Sequence, residues 1–437
     1  MEWQFVLMII FGILIVMMLS GMPIAFCFLL ICLGGTYSYF GGTVGLEQLV
    51  VSIYTTCVSF ILIPIPLFLF MGEVMFHSGI APALVRVIDK WLGPLPGRLS
   101  LLAVGAGTLF STLTGTSLAS VAMLGSALVP EMEKQGYKKP MSLGPILGSG
   151  GLAMMIPPSG LAVLLGAIAE VSVGRILIGI IIPGLLLAVV YAAYIIVRCF
   201  LQPHLAPVYE VEQVPLSEKT RDLIKYVLPQ GIVIFLVVGV IFIGVATPSE
   251  AAATGAIGTV FLAFCYKRMS WEVLIKTIKG TVTVTGMIFL IIAGATAFSQ
   301  ILSFSGATRG LTEMVTTLPL PPILIVIMMM VIVLFLGSFM DVVAIMMVTL
   351  PIFIPVVESL HYNPVWFCVL FLLNIEMAMT TPPFGMSLFV MKGVAPKNTT
   401  MKDIFAAGFP FLGLDLLVMI MILVFPALAL WLPKFME

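Results

Sequence analysis

The sequence predicts an all-α polytopic membrane protein built from inverted repeats, each with a re-entrant helical hairpin and a discontinuous helix. Three observations predict it. Of the 437 residues, 61% are hydrophobic and only 9% charged, a balance far from that of a soluble globular chain. A helix needs about 20 apolar residues to span a bilayer, and roughly a dozen such stretches use up the whole length. Two unusual segment pairs also recur at one fixed shift of 225 residues.

Residues 1–57 read as N-terminal spans, with apolar runs at 5–19 and 23–40 separated by Ser20-Gly21-Met22-Pro23. Glu2 and the lack of a basic leading region make them retained spans, not a cleaved signal. Residues 58–170 form the first repeat: a span at 58–76, a hairpin at 99–130 and a broken helix at 141–169. The hairpin is too long for one helix and polar in its middle, at Ser111-Thr112-Leu113-Thr114-Gly115-Thr116-Ser117. The broken helix is interrupted by Ile156-Pro157-Pro158-Ser159-Gly160, where two prolines remove two backbone donors inside the membrane. Residues 171–279 supply spans at 176–198, 226–246 and 250–266. Residues 280–404 repeat the plan with a span at 280–300, a hairpin at 322–357 centred on Gly337-Ser338-Phe339-Met340-Asp341, and a broken helix at 364–391 interrupted by Thr381-Pro382-Pro383-Phe384-Gly385. A last span, 410–432, closes the C-terminal segment 405–437.

The shift of 225 carries Pro94-Leu95-Pro96 onto Pro319-Leu320-Pro321, Pro130 onto Pro355 and Tyr137 onto Tyr362. It also carries Pro157-Pro158 onto Pro382-Pro383 and Gly160 onto Gly385. Lys and Arg favour cytoplasmic loops near span ends. Arg86, Lys90 and Arg98 precede the first hairpin and Lys134, Lys138 and Lys139 follow it, so both its ends are assigned to the cytoplasm. Five crossings later the second hairpin enters from the opposite side, which makes the repeats inverted. Seventeen of the twenty basic residues then fall in cytoplasmic loops, with Arg175, Arg309 and Lys434 outside them.

Inverted repeats with paired broken helices are the layout of secondary transporters, whose unwound backbone binds ions and substrate near the midplane. At a break, free carbonyls face a cation, while helix N-termini offer N–H groups and partial positive charge to an anion. Hydroxyls add oxygen ligands without a buried charge. Expected ion-binding residues are Thr114, Gly115, Thr116, Ser117, Pro157 and Ser159 in one half, and Gly337, Ser338, Asp341, Thr380, Thr381 and Pro382 in the other. Expected substrate contacts are Ser117, Pro158, Ser159, Thr381, Pro383 and Gly385. Hydroxyl and carbonyl ligands suit Na+ better than a transition metal, so Na+ is the one metal expected, as coupling ion, with no cofactor. A Ser/Thr/Gly run alone reads equally well as close helix packing; the double-proline break recurring in both halves favours a site.

Four carboxylates lie in or beside apolar stretches: Glu73, Asp341, Glu376 and Asp415. Such groups are functional candidates. Asp341 and Glu376 flank the second pocket, whereas Glu73 and Asp415 also fit a role in bonding neighbouring helices. Glu250, after Thr247-Pro248-Ser249, reads as part of a helix cap. The formal net charge is zero, which leaves no basic face for nucleic acid. Six cysteines sit singly without CxxC spacing, and His77, His204 and His361 are far apart, which argues against a metal or redox centre.

Ser20-Gly21-Met22-Pro23-Ile24-Ala25-Phe26, Pro66-Leu67-Phe68 with Met71-Gly72-Glu73, and Thr114-Gly115-Thr116-Ser117-Leu118-Ala119-Ser120 occur in that order. Gly136-Tyr137, Ile156-Pro157-Pro158-Ser159, Thr247-Pro248-Ser249-Glu250-Ala251-Ala252 and Thr381-Pro382-Pro383-Phe384-Gly385 follow. Over nearly its whole length the chain resembles the large membrane subunit of tripartite ATP-independent periplasmic (TRAP) transporters. The resemblance implies a Na+-coupled elevator in the bacterial inner membrane, importing small organic anions such as dicarboxylates or sugar acids. A transport domain carrying both hairpins would slide against a scaffold that includes the spans at 176–198, 226–246 and 250–266. It also implies a small four-helix membrane subunit and a periplasmic substrate-binding protein as partners, besides membrane lipid. Two departures bear on ion or substrate fit: Gly115-Thr116-Ser117 stands where the family has Gly-Ser-Ser, and Ala153-Met154-Met155 replaces its Leu-Gly before Ile-Pro-Pro.

A stand-alone symporter of the same superfamily would share hairpins and repeats without the partners. An intramembrane enzyme would need a nucleophile with a His or Lys base, or a His–Glu metal site, and no histidine lies in a site segment. A channel fits the composition, but paired hairpins suit alternating access better than a continuous pore.

Overall fold

The structure, a computed structural model, describes residues 3–39, 41–114, 117–209, 214–338 and 340–436, and only the backbone of residues 81, 82 and 110–114. The described chain is helical, with no strand. In order its helices are α1 (Trp3–Leu19), α2 (Ile24–Tyr39), α3 (Thr43–Cys57), α4 (Pro64–His77), α5 (Ile80–Trp91), α6 (Arg98–Thr114), α7 (Ser117–Lys134), α8 (Lys139–Met155), α9 (Gly160–Ile168), α10 (Val173–Gly179) and α11 (Ile181–Leu201). Then come α12 (Leu216–Phe242, with two π-helical turns), α13 (Pro248–Cys265), α14 (Trp271–Phe304), α15 (Ala307–Thr316), α16 (Pro322–Leu336), α17 (Val342–Ser359), α18 (Pro364–Thr380), α19 (Met386–Val394), α20 (Met401–Val424) and α21 (Ala427–Leu430). Six described helical segments are long and apolar enough to cross a membrane, and α8 with α9, bent by 49° at the break, make a seventh span.

The repeat is visible element by element. A shift of 225 residues carries the bounds of α7 onto those of α17 and the bounds of α8 onto those of α18. Both breaks hold a cis peptide, Pro157-Pro158 and Pro382-Pro383. The same shift places Gly136 (φ 81°) on His361 (φ 58°), so both copies turn through a left-handed residue after the hairpin. In the first copy glycine takes that conformation without penalty; in the second a histidine does so against its Cβ.

Three helices differ from the sequence expectation. The segment α3 is absent from the expected spans because Glu47, Gln48, Ser52, Thr55 and Thr56 dilute its apolar character. Before each hairpin lies an amphipathic helix, α5 and α15, each opened by a left-handed glycine, Gly79 or Gly306. Their polar faces hide them from a search for continuous apolar runs. Two spans also begin earlier than expected. Ser270 accepts from the Val273 N–H to start α14, and a Thr400–Asp403 capping box starts α20 in a polar stretch.

Two groups of helices pack separately. In one, α4 lies against α13 and α14, and α14 against α2 and α3. In the other, α8 is the centre: α6, α7, α11, α18 and α20 all pack on it. Gly144 and Gly148 let the Phe411 ring of α20 lie directly on α8, since a Cβ at either glycine would meet it at 2.5–2.7 Å. The structure thus places α11 with the helix breaks, whereas the sequence reading grouped 176–198 with 226–246 and 250–266. Its buried Tyr191 hydroxyl donates to Asp415 of α20, a contact no local pattern announces. Lys90 of α5 reaches Asp222 and Glu218 of α12, both at 2.6 Å, and these bonds, Asp222's first, hold its ammonium pKa above the usual lysine value.

Tyr191→Phe is expected to lower stability by about 1–2 kcal/mol, because Asp415 loses its donor in a buried site. Asp415→Asn, which keeps an acceptor oxygen, is expected to cost less. Thermal unfolding of the two variants in detergent checks the order; equal, negligible shifts would remove the pair from the account of what joins α11 to α20.

Candidate functional site

Each break is flanked by hydroxyls whose positions follow from helix chemistry. Ser159 is fully buried and caps α9, its Oγ accepting from the Ala162 N–H at 3.3 Å. In the second half, the Thr380 and Thr381 hydroxyls both donate to the Met377 carbonyl, at 3.0 and 2.7 Å. Their lone pairs are left as acceptors. Asp341 caps α17 through the Ala344 N–H at 3.1 Å, so one carboxylate oxygen is already committed to the hairpin. Ser338 is buried beside it.

The halves interlock across the breaks. The post-break helix α9 of the first half packs on the hairpin helix α17 of the second, and α19 packs on the hairpin helix α7 of the first. Close approach is possible at Gly125 of α7, where a Cβ would lie 2.6 Å from Val394 of α19. At the second apex, a Cβ on Gly337 would lie 2.1 Å from the Ala378 Cβ of α18. Gly385 is equally constrained, 2.5 Å from the Met379 carbonyl oxygen.

Of the expected site residues, Pro157, Pro158 and Ser159 are buried together at one break. At the other break Thr381 and Pro382 are half-buried, Pro383 and Phe384 exposed, and Gly385 buried. Gly337, Ser338 and Asp341 form the second hairpin apex against α18, as the order of motifs predicts. Gly115 and Thr116 lie outside the described residues, and of Thr114 only the backbone is described, as the last residue of α6.

Ser117 opens α7, and its Oγ donates to Glu376 Oε1 of α18 at 3.0 Å. Sequence reasoning set Glu376 beside the second pocket only; the structure joins it to the first hairpin, 259 positions away. A cavity of about 1260 Å³ lies elsewhere, between α9, α14 and α17, with Glu170 and Glu250 among its lining. No described residue of either break lines it.

The family model for "Tripartite ATP-independent periplasmic transporter, DctM component" matches residues 11–428. The chain belongs to this family. Among curated TRAP permeases, it is 31% identical over 395 residues to the C4-dicarboxylate TRAP transporter large permease protein DctM of Pseudomonas aeruginosa, covering 89% of this chain and 90% of that one. The corresponding Rhodobacter capsulatus protein is 28% identical, covering 98% of each. The sialic acid TRAP transporter large permease protein of Vibrio cholerae is 27% identical over 96% of each chain. In fold, the chain is similar to the Alcanivorax borkumensis YdaH transporter, with a TM-score of 0.61 and 15% identity, over 87% of this chain and 88% of that one. As a TRAP permease the protein is a multi-pass component of the bacterial inner membrane and not an enzyme.

Proposed function

We propose that this TRAP permease imports small organic acids by Na+-coupled symport, with both hairpins moving as one body past the remaining spans. The observation that carries the reading is the crossed packing of α9 on α17 and α19 on α7, which ties both breaks and both hairpins into one unit. Hydroxyls at the breaks supply neutral oxygen ligands, while no Lys or Arg occurs in 111–117, 156–160, 337–341 or 380–385. Helix N-termini and bound Na+ must then provide the positive potential for a carboxylate, which couples ion to substrate: each raises the other's affinity by the same factor. One break covered and the other open is what an end-state of such a cycle requires.

Names of relatives include C4-dicarboxylate, isethionate and sialic acid permeases, which favours an acid as substrate. A small membrane subunit and a periplasmic binding protein complete the proposed system; a DctMQ permease among the relatives fits such a pairing. The test is uptake into proteoliposomes containing this chain, the small subunit and the binding protein, with acids of these classes. Uptake is expected to require an inward Na+ gradient. Full uptake on a proton gradient alone would sink the Na+ reading, and full uptake without the partners would favour a stand-alone symporter.

The orientation has its own check. In a background lacking the native cysteines, a cysteine at Ser217 is expected to resist an impermeant thiol reagent in intact cells and one at Glu313 to react. Both positions are exposed. Reversed labelling would overturn the assigned sidedness.

A further inference from the structure

Glu376 lies in the middle of the membrane body, 1% exposed, on α18 one turn before the second break. Its Oε1 accepts from Ser117, while its Oε2 is buried without a hydrogen-bond partner among the described residues. A buried carboxylate with an unbonded oxygen costs several kcal/mol unless a positive charge or further donors meet it. The surroundings supply little. Ser117 begins α7, so the N-terminal end of that helix serves Oε1. On the other side the carboxyl group lies over Gly151 of α8, where a Cβ would come within 2.5–2.8 Å of its Cγ, Oε1 and Cδ.

Gly151 is in the last turn of α8, the negative end of that helix. The helix stops at Met155, and the next residues but one, Pro157 and Pro158, have no N–H to give to the carbonyls of Ala153 and Met154. The ionisable side chain whose charge reaches Glu376 is Asp415, of the same sign, held by Tyr191. A carboxylate, a hydroxyl, a carbonyl-bearing helix end and a second carboxylate therefore converge without a cationic side chain among them. That is the donor set of a hard cation, all oxygen with one net charge to neutralise.

We propose that Glu376 anchors a further Na+ site, separate from the two break pockets and shared by Ser117 of the first hairpin and the C-terminal turn of α8. Its occupant joins the first hairpin to the second half's pre-break helix, so binding there holds the hairpin shut. Gly151 is required because only a residue without a Cβ leaves the carboxylate this seat. The proposal rests on the Na+-coupled reading of the chain, and binding is measured separately from transport for that reason.

The purified chain is heated in NaCl or in choline chloride at equal ionic strength. Na+ is expected to raise its unfolding temperature saturably, and Glu376→Gln to weaken the half-saturating Na+ concentration by about tenfold or more through loss of a charged ligand. In proteoliposomes of the complete system the ratio of Na+ to substrate flux is expected to fall by one in Glu376→Gln. Should that variant fail to fold, Glu376→Asp, which keeps the charge but withdraws the oxygens by one methylene, is expected to weaken Na+ binding without lowering the flux ratio. Unchanged Na+ affinity in the folded Gln variant, or in the Asp variant, overturns the site. So does a Gln variant that keeps its Na+ response but loses a pH dependence of uptake, which would make the occupant a proton. Saturable Na+ stabilisation in a chain whose uptake ignores Na+ would leave this site standing and remove the coupling reading instead.

Discussion

Bridging α14 to α17 with a bifunctional thiol reagent is expected to bring uptake down to background while leaving Na+-dependent stabilisation of the protein intact. Ala295 of α14 and Met347 of α17 line the same cavity, so cysteines at these positions face a common space. One helix belongs to the group around α4 and α13, the other to the body of hairpins and breaks. If the body must travel past its neighbours, a covalent strap between them stops the cycle without touching the ion ligands. Exposed Cys57 and Cys265 have to be replaced first. A control strap within the body, between cysteines at Gly125 and Val394, is expected to be tolerated, because those residues already touch and move together. Transport at the normal rate with the first strap in place would rule out the rigid-body stroke and favour local gating of the hairpins.

Gly337→Val is expected to lower uptake about a hundredfold, the scale of loss that accompanies an ångström of misplacement at a working site. The glycine ends α16 at the second hairpin apex, where even a Cβ would overlap Ala378 of α18 at 2.1 Å. Neither side can retreat without moving Ser338 and Asp341 relative to Thr380 and Thr381. Ala378→Gly in the same chain removes one of the colliding methyls and is expected to restore a large part of the activity. Full uptake by the Gly337→Val variant, or a double variant no better than the single, would show that the apex does not need this contact. Uptake in proteoliposomes with Na+ titrations distinguishes loss of ion affinity from loss of turnover.

Chemistry that is local in sequence was legible; chemistry that depends on distant partners was not. The two Pro-Pro breaks could be placed to the residue because proline removes a donor wherever it stands. The hairpins followed from polar residues in the middle of overlong apolar runs, and the offset of 225 residues tied the halves together. Ser159, Thr380 and Thr381 lie beside the breaks as that pattern requires. By contrast, α5 and α15 escaped because amphipathic helices lack a continuous apolar run, and α3 because its polar residues resemble a loop. The bond from Ser117 to Glu376 and that from Tyr191 to Asp415 each join residues more than two hundred positions apart. Nothing in the neighbouring sequence encodes such a pairing; it follows from how α18 and α20 settle on α8. The grouping of α11 with the breaks is of the same kind, fixed by which helix Tyr191 and its neighbours touch.

The crossed packing of α9 on α17 and α19 on α7 also bears on how the protein is made. When the ribosome has delivered α9 to the membrane, the helix that will cover it has not been synthesised. The first half must wait in the bilayer with a short helix and a proline-broken backbone unsheltered, until the second hairpin arrives. Neither half is therefore an autonomous insertion unit, and a chain interrupted between them presents the cell's quality-control proteases with an incomplete object. Two fragments separated between α12 and α13 would have to be produced together to reach a stable form, since each carries the missing wall of the other.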